Sequence, residues 1–569
     1  MSVWSWVKKN VVDPIVSAGE DLWDDIGDDL NEIGEAFSDL GDDLKDLAED
    51  IAELGYTNKN LGGGNNTYTA SSLGANIIDG EGGNDTITVT AGAYNKISGG
   101  SGNDTLIIKV GGYNKVDGGT GDDTIKVYFG FDNIVKGGDG NDKIYLYAAA
   151  VADIDAGSGN DYVYSNAGYN DITLGSGNDS ASLNGGYNKV SASSGNNSIT
   201  AYGGANKVTV GSGNDTVKVY GGSNKVTDTG GTNSFTLGGA SNTLTSGSGA
   251  DTVTADGAYN SIKTYGGNDN ISVTAASNTV YAGEGNDTVS ATAAYNKIYG
   301  EGGDDTISTT GGYNKIDAGS GNDTVTAYGG YNDIDSSSGN NKVTAYGGAN
   351  DVNVGSGNDT IKVYGGSNKV TDSGGTNSFV LGGASNVLTS GSGADTVTAD
   401  GAYNSIKTYG GNDNISVAAA SNTVYAGEGN DTVSATAAYN KIYGEGGDDT
   451  ISTTGGYNKI DAGSGNDTVT AYGGYNDIDS SSGNNKVYAY GGANDVNVGS
   501  GNDRVEAYGG SNKVTDSGGT NTFVLGGASN VLTSGSGAET VTADGAYNNI
   551  RTYGGDDTLT LGAAANLID

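Results

Sequence analysis

Aspartate recurs in this chain at intervals that would gather carboxylates into one place, and carboxylates alone make ligands for hard cations. The phrase GxGND repeats after residue 60, with its aspartate at Asp85, Asp104, Asp123, Asp142, Asp161, Asp179, Asp215, Asp251, Asp269 and Asp287. It continues through Asp305, Asp323, Asp359, Asp395, Asp413, Asp431, Asp449, Asp467, Asp503 and Asp557. The interval is 19 residues at first and 18 or its multiples afterwards, within the range of solenoid repeats. If each interval is one turn of parallel strands, the carboxylates stack at strand spacing. Such a column repels itself when bare, and a cation between turns would convert the repulsion into oxygen ligation. The chain has no Cys and no His, which removes thiolate and imidazole sites and leaves oxygen donors suited to calcium or magnesium. The structural alternative for the same residues is an Asx-turn column satisfied by backbone hydrogen bonds.

The elements that must position this column are short strands. A second series, Asn95, Asn114, Asn133, Asn170, Asn188, Asn206, Asn224 and onward to Asn548 and Asn566, lies midway between the aspartates, with Ala152 as its exception. Each turn therefore has two halves of about nine residues, as in GSGNDTVTA followed by YGGYNDIDS. Each half reads Gly-rich turn, Asx residue, then alternation. In TVKVY, Val217 and Val219 would point inward, Thr216 and Lys218 outward. Two short parallel strands per turn, stacked about 4.8 Å apart, would make a flattened solenoid about 130 Å long. A longer copy overlies this period: residues 231–273 return almost unchanged at 375–417 and, more diverged, from 519. The interval is about eight turns, so blocks were copied without loss of register.

Composition agrees. Only 34% of the 569 residues are hydrophobic, with 103 Gly and one Pro, which suits a thin core repeated many times better than several large ones. The net charge of −42 requires cations among the carboxylates or a partly disordered chain, and makes nucleic acid an improbable partner. No transmembrane segment is long and apolar enough to be expected, and the N-terminus lacks the h-region of a cleavable signal peptide.

Residues 99–107, GGSGNDTLI, resemble the RTX nonapeptide GGxGxDxUx, as do 118–126 (GGTGDDTIK) and 137–145 (GGDGNDKIY). The resemblance spans about nine-tenths of the chain. It implies a right-handed parallel β-solenoid, the β-roll, in which turn carbonyls and aspartates of successive turns hold calcium. Carried onto this chain, the ligands are the twenty aspartates named above with adjacent glycine carbonyls. The chain departs from the family on its second edge, where GGYNKV and GGANKV put Asn in place of Asp. Stacked amides can hydrogen-bond along a column without an ion, and Lys115, Lys189, Lys207, Lys225, Lys315 and Lys459 follow several of them. One calcium-bearing edge and one ion-free Asn/Lys edge are therefore expected. Asn197, Asn233, Asn341, Asn377, Asn485 and Asn521 interrupt the Asp column at corresponding places in the blocks. Some ice-binding adhesin repeats are similar too, with a GTGND turn of 19 residues, but the turn position that would form a flat Thr array is here mostly Ser, Glu, Asp or Gly. Tyr94, Tyr113, Tyr169, Tyr187, Tyr259, Tyr295, Tyr313 and Tyr331 form a further column beside the Asn edge, suited to stacking on itself or to lateral contact.

Residues 1–58 read as a separate N-terminal segment and 59–569 as the solenoid. Asp13-Pro14 can start a helix, after which Leu22, Ile26, Leu30, Ile33, Phe37, Leu40, Leu44, Leu47, Ile51 and Leu54 follow a three-four spacing. Gly27, Gly34 and Gly41 recur every seven residues and permit bends or close approach. This predicts an amphipathic α-helix or helical hairpin that caps the first turn, anchors through Trp4 and Trp6, or recruits a cell-surface or matrix partner. The repeats run to Asn566, and an open strand edge would admit another subunit head to tail. The resemblance also implies type I secretion, with DDTLTLGAAANLID as a C-terminal signal. The combined expectation is a secreted, non-enzymatic calcium-binding protein that assembles outside the cell into a filament, matrix or surface layer. The alternatives are a monomeric calcium-stiffened adhesin or spacer, or an ice-binding solenoid. An enzyme would lack a His base and a Cys nucleophile.

Overall fold

The computed structural model describes residues 55–562 and 565–569. The expected helix over 13–54 lies outside them. The chain divides into two compact units, residues 1–293 and 294–569. In each, described strands pair in parallel with their equivalents one turn away, and the described residues contain no helix. Each unit is thus a parallel β-solenoid.

In the first unit the register opens at 19 residues per turn, with Tyr56 opposite Ala75 and Ala75 opposite Tyr94. It tightens to 18 from Tyr162, which faces Ser180. The strand Tyr56–Asn60 already belongs to this ladder, so the solenoid starts within the last residues of the segment read as N-terminal. The second unit keeps 18 throughout, as in Thr306 opposite Thr324 and Thr324 opposite Lys342.

The interior is built by alternation. Val217 and Val219 are fully buried, Thr216 and Lys218 are not, so side chains of period two fill a core one residue deep on each face. Ile87, Leu106 and Ile125 stack in the first unit, and Val325, Val343 and Ile361 in the second. Phe235 fills the first unit's core and Phe379 and Phe523 the second's.

The two edges differ in backbone. The Asp-side turn uses left-handed glycine, for example Gly102 at φ 119° and Gly321 at φ 137°, a conformation that penalises a Cβ. At the Asn-side bend, glycines such as Gly203 and Gly204 have no left-handed φ. The ladder there runs straight through, so the two expected short strands merge in many turns into one strand of fifteen residues, as in Ser198–Ser212 and Thr216–Gly230.

Candidate metal centre

The Asp edge begins with two orphan N–H groups in each turn, which side chains satisfy in opposite directions. The residue before the aspartate looks back: Asn103 N donates to Asn84 Oδ1 at 2.9 Å. The aspartate looks forward: Asp85 N donates to Asp104 Oδ1 at 2.6 Å, Asp104 N to Asp123 at 2.7 Å and Asp123 N to Asp142 at 2.8 Å. The second unit repeats the pattern from Asp413 to Asp431 (2.7 Å) and from Asp431 to Asp449 (2.8 Å). One oxygen of each carboxylate is thus spent on the turn, as the Asx-turn alternative requires.

The other oxygen is not. Oδ2 of Asp85, Asp104, Asp123, Asp142, Asp161, Asp179, Asp215, Asp323, Asp359, Asp431, Asp449, Asp467 and Asp503 is buried without a hydrogen-bond partner. Glycine roofs several of these oxygens: a Cβ on Gly80 or Gly137 would sit 2.5 Å from the Oδ2 of Asp85 or Asp142. No Lys or Arg among the described residues forms an ion pair with these thirteen aspartates. Burial, reinforced by neighbouring carboxylates, pushes Asp123, Asp161, Asp431 and Asp449 up to about 7. Burial likewise raises Asp142, Asp323 and Asp467 to about 6. A buried carboxylate oxygen with no donor is unfavourable unless a cation or a proton neutralises it.

Oδ2 of Asp269 and Asp413 is buried without a hydrogen-bond partner too, with Thr264 and Thr408 nearby. Asp251 and Asp395 differ: they are buried, but their second oxygens meet the hydroxyls of Ser246 and Ser390. Asp287 and Asp305 are buried in the same column, and Asp557 is only half-buried. The interrupting asparagines keep the backbone bond, Asp179 N to Asn197 Oδ1 at 3.1 Å and Asp323 N to Asn341 Oδ1 at 2.9 Å, but bring an amide in place of the second oxygen.

Sequence reasoning missed three kinds of residue here. Glu539 takes the column position in GSGAET, is buried, and is raised by burial to about 7. Asp228 and Asp372 are buried five residues ahead of Asn233 and Asn377, whose Nδ2 groups donate to them at 3.0 Å. The recurring TDxGGTN phrase marks these positions but not the contact between them. A second tyrosine row also exists: Tyr202 on Tyr220 (5.1 Å), Tyr328 on Tyr346 (4.9 Å) and Tyr472 on Tyr490 (5.0 Å), all stacked.

The Asn edge is an amide ladder in each unit. Asn76, Asn95, Asn114 and Asn133 are linked Nδ2 to Oδ1 at 2.8–2.9 Å. At Ala152 the ladder breaks, and Asn133 donates to Val151 O instead. It resumes from Asn170 to Asn188 and Asn206 at 2.7 Å. In the second unit it includes Asn314, Asn332, Asn350 and Asn368 at 2.7–2.8 Å. Beside it Lys189 pairs with Asp171, Lys369 with Asp351 and Lys513 with Asp495 at 2.8–3.0 Å. These exposed pairs contribute little each. The expected tyrosine column stacks as well: Tyr94 on Tyr113 at 5.5 Å and Tyr313 on Tyr331 at 5.4 Å.

Donors and residues present on the Asp edge fit calcium. They are oxygen only, anionic, and spaced by one strand. When bound, calcium would neutralise the column and tie successive turns together through the aspartate Oδ2 atoms and turn carbonyls. No curated protein and no solved structure matches the chain. A family model does, described as RTX calcium-binding nonapeptide repeat (4 copies), over residues 61–94, 92–107, 129–149, 153–181, 184–217, 264–298, 299–334, 329–361, 364–397, 407–442, 443–478, 474–505, 499–532 and 533–568. Carboxylates buried at most turns of a parallel solenoid, together with matches over most of its length, make this chain a member of the RTX calcium-binding nonapeptide repeat family.

Proposed function

We propose that this is a secreted structural protein, not an enzyme, whose folding is completed by calcium outside the cell and which then assembles with other copies of itself. The observation that carries this reading is the row of buried Oδ2 atoms with no donor and no basic partner. In a calcium-poor cytosol these carboxylates would be ionised and mutually repelling, which weakens the folded state and keeps the chain export-competent. Outside, calcium binding contributes directly to folding free energy because the unfolded chain has no formed site. Proteins with these repeats are typically exported, and no helix among the described residues is long and apolar enough to cross a membrane.

Assembly is supported by the exposed tyrosine rows. Tyr202 and Tyr328 are each nearly half exposed while stacked on a neighbour, and repeated flat aromatic surfaces favour contact between copies. The test is a calcium titration from chelator upward, followed by circular dichroism and light scattering together. β-signal and large particles rising together support the scaffold. β-signal in a protein that stays monomeric makes it a stiff spacer, and a fold indifferent to chelation removes the calcium reading.

A further inference from the structure

The residue five places before a column aspartate lies against that aspartate's second oxygen. Gly99 and Gly118 show it: a Cβ on either would collide with Oδ2 of Asp104 or Asp123. It would collide equally with the carbonyl oxygen of the equivalent residue one turn on, Gly118 or Gly137. A side chain at this place therefore meets the same oxygens that a hard cation between turns would use.

What stands there sorts the turns. Asp104 and Asp449 follow glycine, Asp161 and Asp431 alanine, Asp179 leucine and Asp359 valine, and each keeps a buried Oδ2 without a hydrogen-bond partner. The same holds for Asp85, Asp123, Asp142, Asp215, Asp323, Asp467 and Asp503, which follow Gly, Ala or Val. None of these side chains carries a donor. Three successive turns differ. Asp228, Ser246 and Thr264 take the place in the first unit, and Asp372, Ser390 and Thr408 in the second, all buried.

Ser246 Oγ donates to Asp251 Oδ2, and Ser390 Oγ to Asp395 Oδ2. The Oδ1 atoms accept from Asn233 N at 2.8 Å and Asn377 N at 2.9 Å, so both oxygens of these two carboxylates are engaged by protein. One turn earlier the column holds Asn233 or Asn377, whose Nδ2 donates to Oδ2 of Asp228 or Asp372 at 3.0 Å. Gly247 N and Gly391 N donate to the same Oδ2 atoms at 3.2 Å, while Oδ1 of Asp228 and Asp372 has no partner. A cation between these turns would meet an amide on one side and a hydroxyl proton on the other. The threonines spend their hydroxyls elsewhere, on Ala282 O and Ala426 O at 2.8 Å, and Oδ2 of Asp269 and Asp413 stays without a partner.

Resting on the calcium reading above, we infer that the side chain five residues before each column aspartate decides which turns take an ion. Residues without a donor leave Oδ2 for calcium, whereas the Ser246 and Ser390 hydroxyls close the turns of Asp251 and Asp395. Ions then fill runs such as Asp431, Asp449 and Asp467, and skip the step from Asn377 to Asp395.

Calcium bound per chain, counted by equilibrium dialysis on the full-length protein, tests this. Ser246→Ala/Ser390→Ala should raise the count by about one ion for each opened turn, and Ala426→Ser/Ala462→Ser should lower it equally. A second readout needs no ion. In chelator at pH 8 the Ala→Ser variant should melt above the parent, because its hydroxyls meet oxygens that had no donor, and the Ser→Ala variant below it. If the parent binds calcium and both variants keep its count, the inference falls and the calcium reading stands. A lower count in Ser246→Ala/Ser390→Ala would make these hydroxyls ligands beside Asp228 and Asp372, and would overturn the inference too. A parent that binds no calcium would remove both.

Discussion

Most column aspartates are asked to do two things, accept a turn N–H and tolerate a buried second oxygen, and only the first is satisfied by protein. Asp431 is representative: its Oδ1 accepts from Asp413 N at 2.7 Å, its Oδ2 has no partner, and burial lifts it to about 7. The folded carboxylates bind protons more tightly than the unfolded ones, whose ordinary value is near 4. Their contribution to stability is therefore complete below about pH 4 and disappears as pH rises through 6 to 7. In chelator, the protein should melt at higher temperature at pH 5 than at pH 8, read by circular dichroism. In saturating calcium the order should reverse, because protons then compete with the ion. Asp431→Asn separates the two roles. The amide can keep the backbone bond, as Asn197 and Asn341 do, but brings no charge. It should stabilise the calcium-free protein at pH 8 by about 1–3 kcal/mol and destabilise the calcium-loaded one by a similar amount. A melt that moves the same way in both conditions would contradict the assignment.

At the scale of the element, the two edges impose different demands on glycine. Gly321, on the Asp side, has φ 137°, and a Cβ there would collide with Gly303 O. Gly312, on the Asn side, has no left-handed φ, and a Cβ would meet Ala294 O at an ordinary 3.4 Å. Gly321→Ala should lower stability by at least about 1–3 kcal/mol, whereas Gly312→Ala should be neutral or stabilising by about 0.5 kcal/mol, measured by denaturant unfolding. The period of 18–19 residues, the inward Val217 and Val219 and the hydrogen-bonded Asn column were legible in the sequence, because alternation and fixed spacing translate directly into stacked positions. The continuous fifteen-residue strand was not, since a Gly-Gly pair reads alike whether it turns tightly or bends within a ladder. Nor were buried Asp228 and Asp372: an aspartate five residues before an asparagine becomes its partner only once the turn folds one over the other.

For the whole molecule, stability built from neighbouring turns depends on register more than on length. The copied block at 231–273 and 375–417 reflects that freedom. Removing residues 324–341 deletes one complete turn of the second unit, and Lys342 then takes the place of Thr324 opposite Thr306. Interior residues, Asp column and Asn ladder all remain aligned, with Val343 replacing Val325 over Ile307. Removing residues 324–332 deletes half a turn instead. Asn350 then shifts to the place of Asn341 on the Asp side, and Asp359 shifts to the place of Asn350 within the amide ladder. A carboxylate buried there faces amide groups already committed to one another, at a cost of several kcal/mol for each such misplacement. The eighteen-residue deletion should therefore retain β-signal per residue and its calcium response, with fewer ions bound in proportion to the turns kept. The nine-residue deletion should lose cooperative melting. Equal tolerance of both deletions would mean that the two edges are interchangeable, and the division of labour between an ion-bearing Asp edge and an ion-free Asn edge would fail with it.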